Sequence, residues 1–254
     1  MSRTDFRSPR LFVDAALGVG AKVPLERDQS NYLGNVLRLA AGATVLVFNG
    51  RDGEWLAAIA GSKRPDRLDV IAQARPQDRL AELAYVFAPL KHARLDYMVQ
   101  KAVEMGAGAL RPVLTRHTQV SRVNTERMRA NVVEAAEQCG ILSIATVDEP
   151  VTLERYLSQR REQPEGQRLM VFCDEAAEIA DPVVALHGAR DAAARGIDLL
   201  IGPEGGFAEE ERELLLRQPN ILRLALGPRI MRADTAAVAA LALVQAVAGD
   251  WKGN

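Results

Sequence analysis

Two short loops near the C-terminal end constrain this chain more than any other feature. They are Ile201-Gly-Pro-Glu-Gly-Gly-Phe207 and Leu226-Gly-Pro-Arg-Ile-Met-Arg-Ala-Asp-Thr-Ala236, 25 residues apart. Each follows an apolar run that reads as a buried strand, Leu199 to Ile201 and Leu222 to Leu226, and each leads into a helix. Glycine permits unusual dihedrals or a close backbone approach, and proline fixes φ and removes a donor, so each loop is a rigid edge. Two ordinary strand-to-helix turns are the plain alternative for either loop alone.

The rest of the chain divides by pattern. Residues 1–74 are mostly β: Arg10–Val13, Lys22–Leu25, Ala43–Phe48, Glu54–Ile59 and Leu68–Ile71 are short strand-like runs, and Asn49-Gly-Arg-Asp-Gly53 is a hairpin signal. Ser30–Leu39 reads as one helix. Several short strands with one helix predict a small barrel. The polar stretch Arg75-Pro-Gln-Asp-Arg79 marks a domain boundary, giving domains 1–74 and 75–254. Strand and helix then alternate: Ala84–Leu90, a helix over 94–105 stopped by Gly106, Ala109–Leu114, a helix over 125–140 with Thr125 as cap, helices near 152–161 and 182–194, and Leu169–Phe172. That alternation predicts a mostly parallel sheet with helices on both faces. Asp234-Thr235 reads as the cap of an Ala-rich helix over 235–248, apolar nearly all round and so destined for a core or a subunit interface.

Composition excludes several classes. Apolar residues are 48% and charged residues 26%, with no uncharged apolar stretch of membrane-spanning length and no signal-like N-terminus, so the expectation is a cytoplasmic protein with buried thiols at Cys139 and Cys173. His92, His117 and His187 are too scattered for a metal site. Net charge is −1, yet residues 1–129 carry 20 Lys+Arg against 13 Asp+Glu, and residues 130–254 carry 12 against 20. A basic half is where a polyanion would lie.

Ligands of open parallel sheets bind beyond the carboxyl ends of the strands. Lys91, His92 and Arg94 follow one strand and Thr115, Arg116 and His117 the next; Cys173-Asp-Glu175 and the two Gly-Pro loops follow the others. This predicts a cationic side and a side built from backbone turns. Neither loop carries a nucleotide-phosphate fingerprint, and Glu204 repels phosphate. A neutral or cationic ligand fits better, such as adenosine carrying a sulfonium. Glu209–Glu211 read as the acidic start of a helix.

Taken in order, Lys91-His-Ala-Arg-Leu-Asp-Tyr-Met-Val-Gln-Lys-Ala-Val-Glu-Met-Gly106, Thr115-Arg116, Glu134-Ala-Ala-Glu-Gln-Cys-Gly140 and the two Gly-Pro loops resemble the RsmE family of 16S rRNA uridine-N3 methyltransferases, in the SPOUT superfamily. The resemblance implies an α/β fold with a trefoil-knotted parallel sheet, a PUA-like RNA-binding β-barrel before it, and a homodimer through the knotted domain. It implies S-adenosylmethionine held by Ile201, Gly202, Pro203, Glu204, Gly205, Gly206, Leu226, Gly227, Ile230 and Met231, with Cys173 nearby. Transfer to N3 needs a proton acceptor or cations beside the uracil, and Arg232, Arg229 and Glu204 are the candidates, with Asp234 either an acceptor or a cap. The 16S rRNA of the small ribosomal subunit is expected on Arg7, Arg10, Lys91, Arg94 and Arg116, with no metal and no membrane. Two positions depart from the family pattern: Ile141 where arginine is usual, and Asp234 where glutamate is usual. A related methyltransferase acting on another RNA or on a ribose 2′-hydroxyl, and an inactive RNA-binding assembly factor, are the alternatives.

Overall fold

The computed structural model describes residues 8–61, 64–91, 93–120, 122–162, 168–178 and 181–251. Contacts divide the chain into two units: residues up to Leu80 together with Val133–Ile144, and Ala81–Val132 together with the chain from Ala145.

The first unit is built on strands β1 (Arg10–Phe12), β2 (Lys22–Pro24), β3 (Thr44–Phe48), β4 (Glu54–Ala60) and β5 (Arg67–Arg75), in the order β1-β3-β4-β5-β2. All neighbours are antiparallel except β1 and β3. The sheet is a half-barrel. Alternate residues such as Val45 and Val47, Ala57 and Ile59, Leu68 and Val70 fill one core with Leu11, Val13, Val23 and Leu33. The Asn49 turn forms as expected: its carboxamide oxygen accepts from the Arg51 and Asp52 amides, and Gly50 and Gly53 take positive φ. Ser30–Leu39 is not one regular helix. Helix α1 (Arg27–Asn31) gives way to a π-turn at Tyr32–Val36, and Arg38 adopts φ 55°.

Residues 133–144, which a boundary at residue 74/75 gives to the second domain, pack with this first unit. Ala136 and Leu142 bury Phe48, Glu137 accepts from the Phe12 amide at 2.8 Å, and Arg75 donates to the Gly140 carbonyl. Burial pushes the Glu137 carboxyl above its usual range, partly offset by that amide.

The second unit is a parallel α/β sheet. Its strands are β6 (Leu83–Phe87), β7 (Ala109–Leu114), β8 (Thr146–Val147), β10 (Leu169–Cys173), β11 (Ile197–Ile201) and β12 (Ile221–Leu224), in the order β12-β10-β11-β6-β7-β8; β9 (Val151–Thr152) also pairs β7. The two-residue strands β8 and β9 leave no periodic signal. One face of the sheet, presenting Ala84, Val86, Met170, Phe172 and Leu200, packs with α4 (Leu153–Glu162) and α7 (Glu209–Leu216). Helices α2 (Ala93–Glu104), α5 (Pro182–Gly188) and α8 (Ala233–Val247) form a second group, with α8 against β11. In chain order α3 (Thr125–Cys139) comes between β7 and β8; it is capped by Asn124, whose side chain accepts from the Arg127 amide, and Thr125 instead bonds Glu149. Short α6 (Arg190–Ala193) follows α5. Strand β12 lies on the far side of β10 from β11, and α8 then returns across to β11, α2 and α5.

Candidate active site

Both Gly-Pro loops leave the carboxyl edge of this sheet. After β11, the Gly206 amide donates to the Pro203 carbonyl and closes a tight turn. A Cβ on Gly202 would lie 2.5 Å from the Phe207 ring, so only glycine lets this loop fold back on Phe207. Phe207 is in turn held edge-on against Phe172, 5.2 Å between ring centres. After β12, Gly227 takes φ +101° with no described residue near its Cβ side, a backbone surface that a ligand can approach closely.

The loops wall one cleft of about 180 Å³. Of the residues expected at a cofactor, Ile201, Gly202, Pro203, Glu204, Gly206, Leu226, Gly227, Ile230 and Met231 line it, as does Arg229. Gly205 does not; it faces His117 on the outer side of the loop. Cys173, Asp174 and Glu175 at and after the end of β10, Arg212 from α7, Leu224 ending β12 and Ala225 after it, and Ala233 and Ala236 of α8 add to the walls.

Charged groups hold the loops from outside. Arg94, at the start of α2, lies 3.4 Å from the Glu204 carboxylate and 4.0 Å from that of Asp234, so one guanidinium spans the two loops. His117 Nδ1 stands 3.1 and 3.0 Å from the carbonyl oxygens of Gly205 and Gly206. Carbonyls only accept, so Nδ1 is the donor. Glu211 is buried and accepts from the amides of Ala208 and Arg116, fixing the start of α7 to the loop after β7. Its role is thus more than the acidic helix start read from sequence. Asp234 is not the helix cap: α8 begins at Ala233 after Arg232, and the Asp234 carboxylate accepts from the Thr235 amide.

The remaining expected residues fall in different places. Arg229 and Arg232 are exposed and make no ion pair among the described residues. Lys91 is exposed, and Arg116 is exposed beside Glu210. Arg7 lies outside the described residues. Arg10 is not a surface residue: it is buried in the first unit against Glu54, 2.9 Å away, and Arg75 holds the other carboxylate oxygen at 2.7 Å. That burial removes Arg10 from any phosphate-facing set.

The end of β10 is also richer in cations than its sequence neighbours imply. Asp174 is buried and pairs with Arg212 at 3.1 Å and Arg223 at 2.6 Å, both distant in sequence. Burial, then the Asp174 carboxylate, pushes the Cys173 thiol up to about 12, so it stays protonated near neutral pH. Cys139, by contrast, is exposed, not buried as expected. Among the described residues no cluster of His, Cys, Asp and Glu could hold a metal ion, and no helix is long and apolar enough to cross a membrane.

A family model described as an RNA methyltransferase domain matches residues 76–245, and one described as an RNA methyltransferase PUA domain matches residues 25–71. The chain is 29% identical over 238 residues to the ribosomal RNA small subunit methyltransferase E of Rickettsia conorii, covering 93% of this chain and 94% of that one. A Legionella pneumophila structure with the cofactor SAM bound is 27% identical, with a TM-score of 0.75 over 94% of this chain and 98% of that one. The ribosomal RNA small subunit methyltransferase E of Neisseria gonorrhoeae, solved with S-adenosyl methionine, shares the fold at a TM-score of 0.80 and 24% identity, over 97% of this chain and all of that one.

Proposed function

Because this chain belongs to the RNA methyltransferase family, we propose that it methylates N3 of a uridine in the 16S rRNA of the small ribosomal subunit, using S-adenosylmethionine. The observation that carries this reading is the single cleft formed by two Gly-Pro loops. Its walls are backbone turns, apolar side chains, the carboxylates of Asp174, Glu175 and Glu204, and the guanidiniums of Arg212 and Arg229. The open backbone at Gly227 and the carboxylates of Glu175 and Glu204 fit an adenosine bearing a sulfonium cation better than a phosphate.

Bound there, the cofactor would supply an electrophilic methyl group. The chain's own residues handle the uracil. N3 loses its proton before or as it attacks, which spreads transient negative charge over O2 and O4; that charge is consumed as the N–C bond forms, and the bond from the donor's sulfur to its methyl would break to leave a neutral thioether. Arg229 and Arg232 are the cations for that charge. Glu204, held by Arg94 beside the cleft, takes the proton. Lys91, Arg94 and Arg116, which follow β6 and β7, hold phosphates. The homodimer and cytoplasmic location belong to the same reading. Ile230, 94% exposed at the lip of the cleft, is an apolar contact for a second copy, and sedimentation as a monomer would count against that part.

The decisive experiment supplies enzyme and labelled S-adenosylmethionine to small subunits lacking the modification, and maps the label by mass spectrometry. One N3-methylated uridine is expected. Label on a ribose 2′-oxygen or on another RNA overturns the assigned target, and absence of label supports an inactive assembly factor.

A further inference from the structure

One end of the cleft has a charge pattern that methyl transfer itself does not use. Arg212 reaches from α7 to the end of β10, where one terminal nitrogen lies 3.1 Å from Asp174 Oδ1 and the other 3.5 Å from Glu209 Oε2. Its Nε is buried and has no hydrogen-bond partner among the described residues. Unpartnered buried donors are exceptions in folded proteins. Asp174 cannot neutralise Arg212 alone, because the same carboxylate also holds Arg223 at 2.6 Å and the Ala176 amide. Arg212 lines the cleft and Arg223 does not. Glu175, next in the chain to Asp174, also lines the cleft, and its carboxylate sits over Gly206: a Cβ there would be 2.6 Å from Oε1.

A guanidinium and a carboxylate at one end of a cleft complement a zwitterionic amino-acid head. We infer that Arg212 and Glu175 form the subsite for the methionine head of the methyl donor, with Arg212 on its α-carboxylate and Glu175 on its ammonium. The inference rests on the cofactor reading above. Asp174 is a positioning residue that holds Arg212 at the cleft wall.

The test compares, by calorimetry, S-adenosylmethionine with its decarboxylated analogue, which keeps the adenosine, the sulfonium and the amine. The wild-type chain should prefer the carboxylate-bearing compound about tenfold, a difference of about 1.4 kcal/mol. Arg212→Gln should reduce that preference to within about twofold. Arg223→Gln removes the other guanidinium on Asp174 without touching the cleft, and should keep the preference. An unchanged preference in Arg212→Gln overturns the subsite, as does an equal loss in Arg223→Gln, which would route the effect through Asp174. If Arg212→Gln does not fold, Arg212→Lys carries the test: it keeps the charge but not the fork, so an undiminished preference overturns the subsite. Failure of the wild-type chain to bind either compound overturns the cofactor reading itself, and the subsite with it.

Discussion

Replacing Arg232 with alanine should lower methyl transfer about 10²–10³-fold, the usual cost of removing one preorganised group that stabilises developing charge. Affinity for S-adenosylmethionine should change little. The two effects separate because Arg232 follows Met231 at the cleft wall but does not itself line the cleft. Its side chain is exposed and makes no ion pair among the described residues. The interaction it makes with α8 is through its backbone carbonyl, which accepts from the Ala236 amide at 2.8 Å and survives the substitution. Folding should therefore stay within about 0.5 kcal/mol, as for other surface changes. A group that acts only on the transition state lowers kcat and kcat/KM together. Calorimetry showing that cofactor binding falls in parallel with turnover would remove Arg232 from the chemistry.

The largest effect on stability is expected at Asp198→Ala. Asp198, the second residue of otherwise apolar β11, is fully buried, and three guanidiniums converge on it: Arg168 at 2.8 Å, Arg160 at 3.2 Å and Arg111 at 3.6 Å. Arg160 is itself almost fully buried, and its remaining partners are the carbonyls of Arg168 and Pro219. Alanine leaves cations in the interior without their counter-charge, so a loss of about 3–5 kcal/mol is expected, not the small loss of a surface pair. Urea unfolding followed by circular dichroism measures it. A loss under about 1 kcal/mol would mean that the arginines reach water or rotate to other acids. The network lies three residues before the end of β11, roughly 10 Å from the cleft. Enough folded variant should therefore retain ordinary cofactor affinity.

The sheet order explains what could be read in advance and what could not. Apolar runs ending in Gly-Pro turns revealed β11, β12 and both cleft walls, because strand burial and turn chemistry are local properties. Arg10 was misplaced for the opposite reason: its partner Glu54 lies 44 residues away, and no periodicity announces a buried ion pair. His117 and Arg212 are similar cases. Their importance comes from meeting Gly205, Gly206 and Asp174 in space, and neither stands in a motif of its own. The sequence did place His117 at a strand end. The π-turn at Tyr32–Val36 and the assignment of 133–144 to the first unit follow from tertiary packing that overrides local propensity. Asn124, one residue before Thr125, shows how readily neighbouring polar residues exchange capping roles. The knotted path implied by the family resemblance lies beyond pattern reading altogether, since short, unthreaded connections are the rule.

Strand β6 is apolar and buried at all five positions, and one of its two edges is covered only by β11, with Leu83 beside Ile197 and Phe87 beside Ile201. A ribosome adding ~5–20 residues per second leaves that edge open for roughly 6–22 s before its partner is even made. For that interval the nascent chain presents an unpaired hydrophobic strand, the kind of edge that seeds association between chains. The yield of this protein in cells is therefore expected to depend on the factors that shelter emerging chains more than on the stability of the finished fold. Depleting those factors and measuring the insoluble fraction of pulse-labelled chains tests this: an unchanged fraction would mean that β7 alone shields β6 during synthesis.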